Sequence, residues 1–60
     1  MHEHQMFTLN ESMHQGLRKG SVGTIVHIYN SKNIEGEFVD AEGNHIETTI
    51  VPTNIITLRD

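Results

Sequence analysis

The chain has 60 residues, eight Asp and Glu against four Lys and Arg, and no cysteine. A chain this short forms one domain and buries only about 60% of the surface that its unfolded form exposes. Without cysteine, neither a disulfide nor a thiolate metal site can stabilise it. No stretch approaches the ~20 apolar residues of a membrane span, and the first fifteen residues lack the apolar segment of a signal peptide. We therefore expect a soluble, cytoplasmic, single-domain protein.

The first nine residues divide into a tail and a strand. Residues 1–5 are polar, and chain ends fray unless they are docked, so we predict a flexible N-terminal tail. Residues 6–9 predict the first strand, with Phe7 and Leu9 on one face. The barrel domain is predicted to occupy residues 6–60.

A long loop is predicted next, over residues 10–19. Leu17 is expected to pack under the barrel, because it is one of few apolar side chains there. The glycines Gly16, Gly20 and Gly23 are predicted to serve turns or a bulge, where a positive φ or close backbone approach suits glycine.

Residues 20–29 predict the central strand of the fold. The segment is rich in β-branched and apolar residues, which pack well on a pleated surface and are poor helix formers. Apolar residues occupy both parities, so both faces of this strand are expected to be partly covered. His27 is predicted to face solvent.

Two hairpins and a short final strand complete the predicted architecture. Residues 34–40 alternate after a polar turn at 30–33, with Ile34, Gly36 and Phe38 on one face. Gly43 is predicted to take a left-handed conformation in the next turn. The last strands are predicted at 45–51, where Ile46, Thr48 and Ile50 share a face, and at 55–58, after a short turn that begins with Pro52. The pattern is typical of an all-β, five-stranded SH3-like barrel with a long first loop and a short turn before the last strand.

Two segments resemble a family of short bacterial proteins described only as a domain of unknown function. They are Gly16 to Tyr29, with the pattern Gly-Leu-x-x-Gly-x-Val-Gly-Thr-Ile-Val, and Glu37 to Gly43, with the sequence Glu-Phe-Val-Asp-Ala-Glu-Gly. The resemblance covers about three quarters of the chain and implies an SH3-like barrel without a catalytic motif. More loosely, the chain is similar to KOW-type barrels and to the barrel of the nitrile hydratase β subunit. Gly36 stands where the family pattern predicts an apolar residue, and the register of the 29–40 hairpin stays open.

Five histidines suggest a metal site at first sight. A structural or catalytic zinc site needs three or four convergent ligands, and the histidine spacing contains no His-Glu-x-x-His helix and no paired ligand turns. We predict no metal site and no cofactor. The Gly20-Ser-Val-Gly23 segment leads into a strand rather than a helix, so a phosphate loop is excluded as well.

Catalytic residues are also not predicted. Glu35 and Glu37 share a strand face, but a catalytic carboxylate pair needs burial or close coupling in a cleft. Solvated acids that protect a strand edge are the simpler interpretation. A polyproline groove needs several exposed rings, and Phe38 is expected in the core. We therefore expect a non-enzymatic protein.

Three binding roles stay open, and the first is preferred. An accessory or regulatory module would bind another protein through Tyr29, Arg18 and Lys19, since Tyr and Arg are enriched in interface hot spots. A KOW-like barrel would bind RNA or DNA around Arg18-Lys19, but acidic residues outnumber basic ones two to one and two cations neutralise few phosphates. A homo-oligomer would bury an edge strand, or Tyr29 and Val39, across a symmetry axis.

Overall fold

The computed structural model describes residues 1–14 and 16–59, and its sheet confirms the predicted all-β, five-stranded class. Asp60, the predicted end of the domain, lies outside the described residues. The strands are antiparallel and follow the spatial order β4-β3-β2-β1-β5, so the predicted central strand is central. Their bounds are β1 Met6–Leu9, β2 Val22–Ile28, β3 Asn33–Val39, β4 His45–Pro52 and β5 Ile56–Leu58, with a 3-10 turn at Thr53–Ile55 before β5.

The core is built from one face of each of the first four strands, together with one loop residue. Phe7 and Phe38 meet edge to face with ring centroids 5.5 Å apart, a geometry that contributes about 0.5–1.5 kcal/mol beyond area burial. Leu17 is fully buried, which confirms its predicted position under the barrel. The complete buried cluster is Phe7, Leu9, Leu17, Ile25, Ile34, Phe38 and Val51.

The ring of Phe7 lies across two glycines on neighbouring strands. A Cβ atom at Gly23 of β2 would lie 2.5 Å from Phe7 Cζ, and one at Gly36 of β3 would lie 2.7 Å from the same atom. Both glycines are buried, and neither has a positive φ. The prediction that Gly23 serves a turn or bulge differs from this placement, because the residue pairs with Phe38 inside the ladder. Glycine is needed there for space under an aromatic ring.

A bulge in β2 settles the register of the 29–40 hairpin. Ile25 pairs with Gly36 and His27 pairs with Glu35, so Val26 is the extra residue on β2. An extra residue shifts the alternation of side chains that follow it. Ile25 and Ile28, which would face opposite sides of a regular strand, therefore both face the core. His27, between them, is exposed as predicted.

The first loop, described at residues 10–14 and 16–21, packs Leu17 and Met13 against the core. Within this loop, Met13 N–H donates to the Leu17 carbonyl and Leu17 N–H donates to the His14 carbonyl, both at 2.9 Å. His14 Nε2 lies 3.2 Å from Glu47 Oε2 of β4, which ties the loop to the far side of the sheet. Gly20 has a φ of +93°, and this left-handed residue explains why β2 begins two residues later than predicted.

The N-terminal segment is partly docked, which differs from the flexible tail predicted for residues 1–5. His4 N–H donates to the Ile25 carbonyl at 2.7 Å, and Ile25 N–H donates to the Gln5 carbonyl at 2.9 Å. These bonds extend the pairing of β1 with β2 toward the N terminus. Side chains contribute as well, since Gln5 Nε2 donates to the Arg59 carbonyl at 3.3 Å and Glu3 Oε2 lies 4.0 Å from His27 Nδ1.

The turn between β3 and β4 is organised by Asp40. Its Oδ1 atom accepts hydrogen bonds from the N–H groups of Glu42 and Asn44, both at 2.9 Å. Gly43 has a φ of +85°, which confirms the predicted left-handed residue. The hydrogen bond from Asn44 is the largest cause that lowers the pKa of the Asp40 carboxyl, and burial opposes it.

We expect Asp40→Ala to lower the urea midpoint at pH 7, because the turn loses both accepted hydrogen bonds. A carboxyl whose pKa is lower in the folded state stabilises the fold above its unfolded pKa, and this stabilisation disappears as the pH falls through the folded value. The difference between wild type and Asp40→Ala should therefore shrink below about pH 4. Asp40→Asn retains the Oδ1 acceptor and is the matched control, with a smaller loss and a flatter pH dependence. Equal losses for the two variants would contradict this role of Asp40.

Candidate functional site

The most prominent exposed aromatic feature lies where β2 runs into its turn with β3. Tyr29 is 49% exposed, whereas both phenylalanines are fully buried. Its backbone is fixed, since Tyr29 N–H donates to the Asn33 carbonyl at 3.1 Å. The Asn30 Oδ1 atom holds the turn by accepting from the N–H groups of Lys32 and Asn33 at 2.8 and 2.9 Å. Tyr29 is thus an exposed ring on a rigid hairpin.

His27 supports the Tyr29 ring from the same side of the strand. The two ring centroids are 4.6 Å apart with an interplanar angle of 76°, an edge-to-face arrangement. His27 and Tyr29 are two residues apart in an extended segment, so their side chains point to the same face. The bulge at Val26 turns this face outward, so the pair exists on the surface because of an irregularity that the sequence did not disclose.

Carboxylates flank the aromatic pair on two sides. Glu3 Oε2 lies 4.0 Å from His27 Nδ1, and Glu35 lies directly opposite His27 on β3. Beyond Glu35, the sheet continues to Ile50 of β4, which is 55% exposed. We call the group formed by Glu3, His27, Tyr29 and Glu35 the hairpin patch. Of these four residues, only Tyr29 is predicted from the sequence to bind a partner. Glu3 reaches the patch through the docked N-terminal segment.

Arg18 and Lys19, the other predicted partner-binding residues, lie at the opposite end of β2. Ser21 N–H donates to the Arg18 carbonyl at 2.9 Å, which fixes Arg18 beside the start of that strand. Lys19 N–H donates to Ser12 Oγ at 3.1 Å within the same loop. A seven-residue strand at about 3.3 Å per residue separates this loop from Tyr29 by roughly 20 Å. The structure does not bring the three predicted residues into one small contact.

The predicted structural glycines divide into two groups. Gly16, Gly20 and Gly43 have φ values of +100°, +93° and +85°, and their missing Cβ atoms face open space. They serve backbone conformation, as predicted. Gly23 belongs with Gly36 under the Phe7 ring, and the glycine pattern alone could not separate these two uses.

His14, His27 and His45 each have different neighbours. His14 contacts Glu47, His27 packs on Tyr29, and the His45 ring lies 2.9 Å from Thr48 Oγ1. Within residues 1–14 and 16–59, no three His, Cys, Asp or Glu side chains are grouped so that they could hold a metal ion.

An open depression of about 440 Å³ lies beside the turn that follows Tyr29. It is formed where the β2–β3 turn meets the 3-10 turn, and Thr53 joins the two through bonds to the carbonyls of Lys32 and Ser31. Polar residues dominate its lining, which consists of Lys32, Asn33, Pro52, Thr53 and Asn54. The sequence does not reveal this depression, because it forms between segments about twenty residues apart.

Comparison with known proteins assigns a family but no activity. The family described as a domain of unknown function (DUF4926) matches residues 4–57. No curated protein and no solved structure matches the chain. Across the part of the chain that the structure describes, no helix is long and apolar enough to cross a membrane.

Proposed function

The chain belongs to the DUF4926 family, whose description assigns no activity, and we propose that it is a non-enzymatic module that binds a basic segment of another protein on the hairpin patch. The observation that carries the proposal is the exposed Tyr29 ring, which packs on His27, the residue that has Glu3 and Glu35 as its own neighbours. It keeps the protein-binding role expected from the sequence and replaces the dispersed set of residues with one surface.

Tyr29 has the properties of an interface anchor. Tyrosine supplies a large contact area with little loss of side-chain entropy, and it is enriched among residues whose truncation costs 2 kcal/mol or more. Contact with His27 and the hydrogen-bonded turn restrict the ring before a partner arrives. A restricted anchor reduces the entropy lost on binding.

The charges around the ring favour a cationic partner. An arginine guanidinium stacked on Tyr29 gains about 0.5–2 kcal/mol from the cation–π interaction. From that position it can also donate charge-assisted hydrogen bonds to Glu35 or Glu3. The formal net charge of −4 attracts a basic segment over a longer range.

The exposure of the acids on this face supports a non-enzymatic role. Glu3 has a side chain 56% exposed, and Glu35 is half-buried on the outer face of the sheet, between His27 and Ile50. General acid–base catalysis uses groups whose pKa is shifted by enclosure or by close coupling. An open, solvated patch serves recognition better than proton transfer.

Nucleic-acid binding through the first loop is the weaker alternative. Arg18 and Lys19 lie roughly 20 Å from the exposed ring, so cations and aromatic stacking do not form one platform. Two phosphate contacts alone give a salt slope of about −1.8, and such binding is weak at physiological salt.

Photo-crosslinking tests the proposal in the cell that makes the protein. A photoreactive phenylalanine analogue at Tyr29 is expected to capture a specific protein through a basic segment, and Thr57 on the exposed face of β5 is the matched control position. With that partner in hand, Tyr29→Ala should weaken binding about thirtyfold, equivalent to 2 kcal/mol. Glu35→Lys, which reverses the charge, should also weaken binding of the partner. This loss of affinity should grow as the salt concentration is lowered.

Two results would contradict the proposal. One is equal capture at Tyr29 and Thr57. The other is micromolar binding of labelled single-stranded or duplex RNA or DNA at near-physiological salt that disappears in the double variant Arg18→Glu, Lys19→Glu.

A further inference from the structure

The edge strand β4 is unusually open. It has eight residues, and within the described part of the chain it pairs with β3 on one side and with no strand on the other. The unpaired N–H and C=O groups of such an edge are a template for another strand. We propose that β4 pairs with the β4 strand of a second copy of this chain, in an antiparallel ladder centred on Thr48.

The exposed side chains of β4 carry little protection against pairing. Natural edges are guarded by lysine, proline, bulges or inward-pointing charges. Here Ile46 and Ile50 are 44% and 55% exposed, and the residue between them on this face is the uncharged Thr48. The bulge at Ile46 and Pro52 lie at the two ends of the edge. The one acidic residue of β4, Glu47, points to the opposite face and lies 3.2 Å from His14 Nε2.

Symmetry restricts how two β4 strands can meet. In an antiparallel pair related by a two-fold axis, opposite residues point to the same face, so the axis must pass through a residue position. With the axis at Thr48, Thr48 faces its own copy and Ile46 faces Ile50 of the second copy, twice. The pattern Ile-x-Thr-x-Ile is the same in both directions, so apolar side chains meet apolar ones.

The neighbouring registers are less favourable. An axis at Glu47 places two like carboxylates directly opposite each other, which destabilises a ladder. An axis at Thr49 sets Thr48 against Ile50 and Ile46 against Pro52, and an axis at Ile50 sets Thr48 against Pro52. Proline has no N–H to donate, so these registers lose ladder bonds and mismatch polar with apolar side chains.

The Thr48 register is compatible with the acidic charge of the chain. Glu37 is the β3 neighbour of Thr48, so the two Glu37 residues of the pair are separated by three strand spacings, about 14 Å. This distance exceeds the Debye length of about 8 Å at physiological ionic strength. Glu47 faces Thr49 of the second copy and has His14 of its own chain at 3.2 Å.

The wild-type chain provides the first test, because it needs no variant to fold. Sedimentation and light scattering from about 10 µM to 1 mM should show a monomer–dimer equilibrium, since a short edge contact belongs to the weak class of interfaces. Added salt should strengthen the dimer by screening two chains of net charge −4. Amide hydrogen exchange at residues 46–50 should slow as the concentration rises.

Charge placed at the axis tests the register. Thr48→Lys and Thr48→Glu should each be monomeric, because residue 48 meets its own copy, and an equimolar mixture of the two should restore a dimer. Thr24→Lys is the matched control, since Thr24 lies on the same face, in the same cross-strand row, but on the central strand. Thr24→Lys should dimerise like the wild type.

A wild-type chain that stays monomeric at about 1 mM, with no concentration-dependent protection at residues 46–50, would overturn the proposal. Folded Thr48→Lys that still forms dimers, or a lysine–glutamate mixture that stays monomeric, would exclude the Thr48 register. None of these results bears on the crosslink at Tyr29, so the two proposals stand or fall separately.

Discussion

Gly23→Val is expected to leave most of the molecules unfolded. A Cβ at residue 23 would lie 2.5 Å from Phe7 Cζ and 3.0 Å from both Cε atoms. The ring cannot withdraw easily, because it is fully buried, packs edge-on against Phe38 and covers Gly36 as well. Overpacking of this kind costs about 1–3 kcal/mol or more. The core of so short a chain supplies only about 3–5 kcal/mol in total.

Urea denaturation of Gly23→Val and of Thr24→Val measures this effect. Thr24 is the next residue of β2, faces outward and is already β-branched, so its exchange for valine should leave the midpoint close to that of the wild type. If Gly23→Val also kept the wild-type midpoint, the Phe7 ring would not be seated on that glycine.

Phe7→Ala is expected to have the largest effect of any single side-chain truncation in β1. Replacing a buried phenylalanine by alanine costs about 3–5 kcal/mol, which equals the whole expected stability of the domain. Loss of the strand signal in circular dichroism at 25 °C, and of dispersed amide resonances, would report it. Met6→Ala, next to it but exposed, should change the midpoint little.

A double-mutant cycle tests whether the two effects share one contact. Phe7→Leu shortens the side chain and opens space above the glycine, so Gly23→Ala should be less harmful in that background than in the wild type. Contacting residues show coupling of about 0.5–3 kcal/mol. Strict additivity would separate Phe7 from Gly23 and contradict the packing described for them.

The two proposed surfaces have a joint consequence. Glu35 of the hairpin patch is the ladder neighbour of Ile50 on the β4 edge, so pairing through β4 would place two patches on one continuous sheet. A partner with two basic segments would then gain avidity without any new contact, provided that its linker spans the patches. The wild type and Thr48→Lys should differ toward such a partner, and bind a single-segment partner equally.

Side-chain alternation along strands and the residue preferences of turns act locally, so both could be predicted from the sequence. Phe7 and Leu9 share a buried face because side chains alternate along a strand, and Gly16 and Gly43 adopt positive φ because the turns need it. The strand succession follows from the same short-range rules.

Contacts between segments distant in sequence decided the features that the sequence did not predict. Nothing local distinguishes Gly23, which makes room for a ring from another strand, from Gly20, which turns the chain. The bulge at Val26, which turns His27 and Tyr29 outward together, depends on how β2 meets β3. Glu3 approaches His27 only because the N-terminal segment pairs with β2. Local patterns fix which face a residue takes, whereas pairing and packing between distant segments fix which residues become neighbours.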